Sequence, residues 1–248
     1  MKDKYEKSKA GEIAIEKSRF AKWFENFWYY YKWHVIVIGF FLIVGLICFV
    51  QCATSQNSSD LMIAYVGGYS SNKEDNELIC EVLGSVAPDA GESGKGSVVA
   101  LNYFSVYSQK EAEQIFTNDE GETNTNGVRE LLQTSNSNLD QFVDFTKTGE
   151  AAVWLVSEDV YHTLDLSERA MPLSALYGEQ LPESRYDEYA IRLSETDLYR
   201  YYGALQKLPA NTLVVMPARV VVGAASNSET YAYFCDMFRA IVEFKMPQ

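Results

Sequence analysis

Histidine is almost missing from this sequence: 248 residues hold two, and one of them, His34, opens a long apolar run. His162 is left between Tyr161 and Thr163, where it reads as an ordinary surface or core side chain. No Gly-x-Ser-x-Gly elbow, His-Glu-x-x-His pair or Cys-x-x-Cys occurs, so the spacings that join a nucleophile to a base, or two ligands to a metal, are absent. Adjacent acids such as Glu158-Asp159 and Asp119-Glu120 suit a solvated face in so acidic a chain. No enzyme, metal or cofactor is expected. Cysteine is scarce as well, and the four present have no framework spacing. Cys48 and Cys52 belong to the apolar run and its edge. Cys80 and Cys235 fall on predicted helices as small buried hydrophobes, with a Cys80–Cys235 disulfide as the alternative in an oxidising compartment. Basic charge is the last deficit: 21 Lys and Arg face 34 Asp and Glu. After residue 32 the balance is thirteen against twenty-nine. A surface of that sign repels phosphate, which excludes nucleic acid as a partner.

The long apolar run is what the sequence has most plainly. From Val35 to Val50 every residue is apolar or Gly, and residues 33–53 have the length of a helix crossing a hydrocarbon core. Upstream, Trp23, Phe24, Phe27, Trp28, Tyr29, Tyr30, Tyr31 and Trp33 form an aromatic belt of the kind found at headgroup depth. Phe20, Trp23, Phe24, Phe27, Trp28 and Tyr31 recur at helical spacing between charges, which predicts an amphipathic interfacial helix in the segment 1–32. Residues 20–53 are therefore expected to meet lipid. Eight Lys and Arg precede residue 33 against five acids, so the N-terminus should be cytoplasmic and the remainder extracytoplasmic. A lead of over 30 residues and a long apolar run favour a retained anchor over a cleaved signal peptide. Ile47 and Gln51, standing before the two candidate cysteines, exclude a lipoprotein signal.

Residues 54–60 read as a polar tether. Over 61–248, apolar runs alternate with helical patterns: strands at Leu61–Val66, Val98–Val106, Ala151–Val156, Tyr189–Leu193 and Thr212–Val222. Helices are predicted at Asn76–Val86, from Glu111, at Val128–Leu132, Leu139–Phe145, Glu158–Leu164, Asp197–Leu205 and Glu229–Phe244. This order predicts a single α/β domain with a mixed, mostly parallel sheet flanked by helices. Ser71/Glu74, Ser108/Glu111, Ser194/Asp197 and Ser226/Glu229 have the spacing of capping boxes at helix starts.

In such sheets ligands gather at the carboxyl ends of the parallel strands. The candidate binding residues are accordingly Gly67, Gly68, Tyr69 and Ser71 after the first strand, Tyr107 and Ser108 after the second, and Ser157 after the third. The Gly-rich loop Gly91–Ser97 fails as a P-loop, because Asp89 stands where the first Gly is required and Gly96 follows Gly94-Lys95. Asp89–Gly94 and Glu122–Gln133 are near-matches to calcium loops, each short of ligands, and read as solvated turns.

The Leu61–Val66 strand, the passage Lys147-Thr148-Gly149-Glu150-Ala151-Ala152-Val153-Trp154-Leu155-Val156, the Leu208-Pro209 turn and the returning Thr212–Val222 strand together resemble one lobe of the type II extracytoplasmic solute-binding proteins over about residues 61–245. The size departs from that pattern, since about 190 residues hardly supply a second lobe. The whole chain, with its Phe27-Trp28-Tyr29-Tyr30-Tyr31-Lys32-Trp33-His34 lead, is also similar to a group of single-pass membrane proteins of Gram-positive clostridia. That likeness implies localisation and brings no activity. The expectation is a membrane-anchored extracytoplasmic domain that binds a small ligand or a protein partner in the envelope. The alternative is a structural or assembly subunit of an envelope complex with no ligand.

Overall fold

The computed structural model describes residues 19–54, 59–88, 97–164 and 168–247. The chain divides into two units, residues 1–57 and residues 58–248. The first contains one continuous helix, α1, Arg19–Thr54. The aromatic lead and the apolar run are not separated by a break, and the helix enters the stretch read as tether. Within it, Phe27–Val50 contains an 18-residue stretch with a mean hydropathy of 2.7 and is long and apolar enough to cross a membrane. At 1.5 Å per residue those 24 residues extend about 36 Å. Trp23, Phe27 and Tyr31 stack one turn apart along one face, with centroids 5.4 and 5.3 Å apart.

The second unit is α/β. Its strands are β1 (Leu61–Gly67), β2 (Val99–Ser105), β3 (Ala151–Ser157), β4 (Ala190–Arg192) and β5 (Thr212–Val215). They form one five-stranded sheet in the order β2-β1-β3-β5-β4. β1 pairs in parallel with β2 and β3, whereas β5 runs against both β3 and β4. Four strands therefore share a direction, and β5 is the returning strand inserted among them. The helices are α2 (Lys73–Val86), α3 (Gln109–Ile115), α4 (Thr125–Thr146), α5 (Glu158–Tyr161), α6 (Leu173–Tyr177), α7 (Asp197–Tyr201) and α8 (Ser228–Val242).

Side chains alternate across a strand, so each buried strand serves two cores. Ile63, Tyr65, Val153, Leu155 and Val214 pack with Ile79 and Leu83 of α2 and with Phe234, Met237, Phe238 and Ile241 of α8. Ala64, Val66, Phe104, Trp154, Val156 and Val215 pack on the other face with Phe142 of α4 and Val160 of α5.

Several expected boundaries move, each for a local reason. The two helices expected across 128–145 are one, α4, because Ser135 Oγ accepts the Tyr107 N–H at 3.1 Å and Asn138 donates to the Ser105 carbonyl at 2.8 Å. Those tertiary bonds hold a Ser/Asn-rich stretch of weak helix formers in the helix. The long run from Thr212 leaves the sheet ladder at Val215: Pro217 has no amide to donate, and after a single antiparallel bridge between Pro217 and Ala170 the chain bends away toward Gly223. Of the four capping boxes only Ser108/Glu111 forms. The other helices begin one or two residues later, on Asn72, Thr196 and Asn227. Ser194 and Ser226 instead donate to the Ala210 and Gly223 carbonyls. Cys80 and Cys235 are free thiols, each pushed above its ordinary pKa by burial. The near-match at Glu122–Gln133 is a turn leading into α4, whose helical backbone cannot wrap a cation. The other, Asp89–Gly94, lies outside the described residues.

Candidate functional site

The candidate residues lie where β1, β2 and β3 end, and the structure brings most of them together. Register places Gly67 beside Ser105, while Ser157 closes β3 on the other side of β1. The space between them is already occupied. A Cβ on Gly67 would stand 2.8 Å from the Tyr65 hydroxyl and 2.9 Å from Ser157 Cβ. One on Gly68 would stand 2.9 Å from both Glu111 Oε1 and Tyr107 Cδ1. These glycines serve close packing by the chain's own side chains. Ser157 is 2% exposed. Ser108 is committed to its capping box: its N–H and its hydroxyl both donate to Glu111 Oε2, at 2.7 and 2.9 Å. What stays open is a shallow cavity of about 270 Å³ lined by Gly68, Tyr107, Glu111, Gln114 and Ile115. Tyr69 and Ser71 belong to a neighbouring tyrosine group. The Tyr65 ring lies 5.9 Å from that of Tyr69 and 5.5 Å from that of Tyr103, and Ser71 approaches the Tyr103 hydroxyl. Burial pushes the Tyr103 phenol up to about 12 and Tyr65 higher still, so both stay neutral and neither can act as a base near neutrality.

Beneath Gly67 lies an unusual trio. The hydroxyls of Tyr65, Ser157 and Thr212 are buried, and none makes a hydrogen bond of good geometry among the described residues. Ser157 and Thr212 face each other across the β3–β5 ladder. A buried hydroxyl without a partner opposes folding, and an apolar group of the same shape does not. Thr212→Val is therefore expected to leave thermal stability unchanged or raise it by up to about 1 kcal/mol. A loss of that size in the purified full chain would instead mean that a water bridges the trio.

A second polar group, assembled from the ends of β3 and β4, had no signature in the sequence. Arg192, the last residue of β4, donates to Glu158 Oε2 at 2.9 Å. The Tyr186 hydroxyl donates to Glu158 Oε1 at 3.0 Å and stands 3.1 Å from His162 Nε2. The guanidinium lies over the Tyr186 ring at 4.8 Å, a cation–π contact. Nearby, Tyr161 donates to the Asp187 carboxylate at 2.6 Å. Thirty-four residues separate Arg192 from Glu158, so no local spacing announces the pair.

The hydrogen bond from Arg192 holds the Glu158 carboxyl below its ordinary 4.5, and desolvation, followed by Glu158, raises the Tyr186 phenol. An ionised, clamped carboxylate and a neutral phenol make a fastening between residues 158–162 and 186–192; neither is tuned as an acid or base for neutral pH. A carboxyl whose folded pKa is depressed stabilises the fold above its unfolded value and loses that contribution as pH falls through the folded one. Arg192→Met should cost about 1 kcal/mol at neutral pH for a pair so near the surface. It should also flatten the loss of stability below pH 4.5, as read from thermal unfolding across an acid series.

Among the described residues, no group of three or more His, Cys, Asp or Glu converges as a metal site. Of the larger concavities, one of about 620 Å³ lies on α4 beside the end of β2, lined by Glu130, Gln133, Ser137, Asn138 and Gln141 among others, and two lie away from the strand ends. One of about 530 Å³ is lined by Val86, Pro88, Tyr202, Arg239 and Phe244, and one of about 700 Å³ by Tyr177, Arg200, Val242 and Phe244 among others. Glu243 and Phe244 line both. The Phe244 ring lies 5.7 Å from those of Tyr201 and Tyr202, which pack edge-on at 4.8 Å, and Tyr201 is half exposed. No family model matches the chain, and no curated protein or solved structure was found to match it.

Proposed function

We propose that this protein is a membrane-anchored docking subunit of the cell envelope, with α1 as its single-pass anchor and residues 61–248 as an extracytoplasmic domain that binds a protein partner. The observation that carries this reading is the closure of the strand ends. A solute-binding lobe needs an open, polar crevice there, and here Glu111, Tyr107, Tyr65 and Ser157 fill it. The inserted, reversed β5 supports kinship with one lobe of the type II solute-binding architecture. The described residues hold one sheet where a two-lobed carrier has two.

The partner surface in this reading is the ridge of Tyr201, Tyr202 and Phe244 with Arg200 and Arg239 beside it. Aromatic residues and Arg are the side chains that interfaces favour, and the two grooves that Phe244 lines give an opposing side chain somewhere to enter. Chemical crosslinking in native membranes should capture a protein with the wild type and lose it with Tyr201→Ala, while thermal stability changes little because that ring is half exposed. Capture unaffected by the substitution would remove the ridge from the reading. A small solute that shifted the melting point and was blocked by substituting Tyr107 would restore the carrier alternative. Orientation rests on the charge asymmetry of the lead. Protease added to intact cells should digest residues 61–248, and their survival would reverse the topology.

A further inference from the structure

We propose that the loop Arg219–Gly223 is a lipid-contacting tip that seats the α/β domain on the bilayer surface; this rests on the reading of α1 as a membrane anchor. Val221 is 94% exposed and Val222 67%, the two greatest exposures of a large hydrophobic residue described in the domain. The loop is braced. Gly149 and Gly223, both at positive φ, let the turn before β3 and the loop approach closely. Ala225 donates to the Gly149 carbonyl at 2.9 Å, Arg219 to that of Ser226 at 2.8 Å, and Ala218 to that of Arg169 at 2.7 Å. A fixed backbone thus holds two valines outward, where water alone gives them no partner.

Connectivity says what reaches them. β5 runs against β3, so the chain leaving Val215 travels to the amino end of β3, and Ala151 there pairs with Met62 of β1. The loop and Leu61 therefore share one end of the sheet. Six residues join Thr54 to Leu61, a contour of at most about 25 Å, so the bilayer that holds the end of α1 lies within reach of this end. Lys147, Arg169 and Arg219 stand at this end against Asp60, Asp144, Glu150, Glu168 and Glu229, so the bases offset only part of the local acidic charge. No Asp or Glu occurs between Asp197 and Glu229, so the loop itself carries none. Apolar contact by Val221 and Val222, not charge attraction, drives the seating.

The test uses the full chain in phosphatidylcholine and phosphatidylglycerol nanodiscs, with photoreactive p-benzoylphenylalanine replacing Val221, Phe40 of α1, or Ile115 at the opposite end of the sheet. Lipid adducts are expected at 40 and 221, with at least about tenfold fewer at 115. Adducts at 40 without adducts at 221, equal labelling at 221 and 115, or 221 linked to a protein or a second copy of the chain would each overturn the proposal and leave the anchor standing. Absence of adducts at 40 would overturn the anchor reading and the proposal together.

Discussion

Trp154→Ala is expected to cost about 3–5 kcal/mol, the range for removing a fully buried large aromatic. Trp154 is 2% exposed and sits on β3, the central strand of the five. Its ring meets Phe142 of α4 edge-on at 5.4 Å, and Phe142 in turn meets Phe104 of β2 at 5.4 Å. Removing the indole leaves a cavity bounded by sheet and helix, neither of which can collapse freely because both are fixed by hydrogen-bonded backbone. A domain of this size has on the order of 5–15 kcal/mol in total, so the variant should unfold at a markedly lower denaturant concentration. Trp154→Phe, which keeps the edge-on contact, should recover part of the loss. Urea unfolding of the purified chain is the measurement, and a cost under about 1 kcal/mol would contradict the burial assigned to this face.

Gly223→Ala is the second large effect. Gly223 has φ +81°, and a Cβ there would stand 1.6 Å from the Thr148 carbonyl oxygen, so backbone must move. Gly178 isolates the conformational part: its φ is +62°, and nothing lies within 4 Å of its Cβ position. Gly178→Ala should cost about 1 kcal/mol, and Gly223→Ala about 2–3 kcal/mol because strain and collision add. Amide hydrogen exchange should localise the damage to residues 147–150 and 218–226. Similar costs for the two variants would mean that the turn and the loop do not touch.

The apolar helix and the α/β class were legible because both depend on one-dimensional patterns: an uninterrupted apolar stretch, and apolar runs alternating with helical periodicity. The Ser108/Glu111 box was legible for the same reason, since all its atoms lie within four residues. What the sequence hid was decided by distant neighbours. Ser71, Ser194 and Ser226 look like caps, yet Asn72, Thr196 and Asn227 perform the capping. The continuity of α4 through Ser135 and Asn138 depends on carbonyl and amide groups from the end of β2. The candidate residues do lie at strand ends, but the occupancy of that place could not be read: whether Gly67 and Gly68 open a crevice or admit Tyr65, Ser157, Tyr107 and Glu111 is a matter of side-chain volume. The Glu158–Arg192 pair escaped for want of local spacing. Val221 and Val222 looked like strand residues because nothing in an apolar run says where its pairing partner ends.

The position of β1 has a mechanical side. With α1 as the proposed anchor, the chain that follows it enters the described fold through a strand paired on both flanks, with β2 and with β3. Tension carried along the tether is delivered to two hydrogen-bonded ladders at once, so they must rupture together rather than one bond at a time. If a bound partner pulled on this domain, the load would be shared across the middle of the sheet, and β4, three residues long at the far edge, would carry little of it.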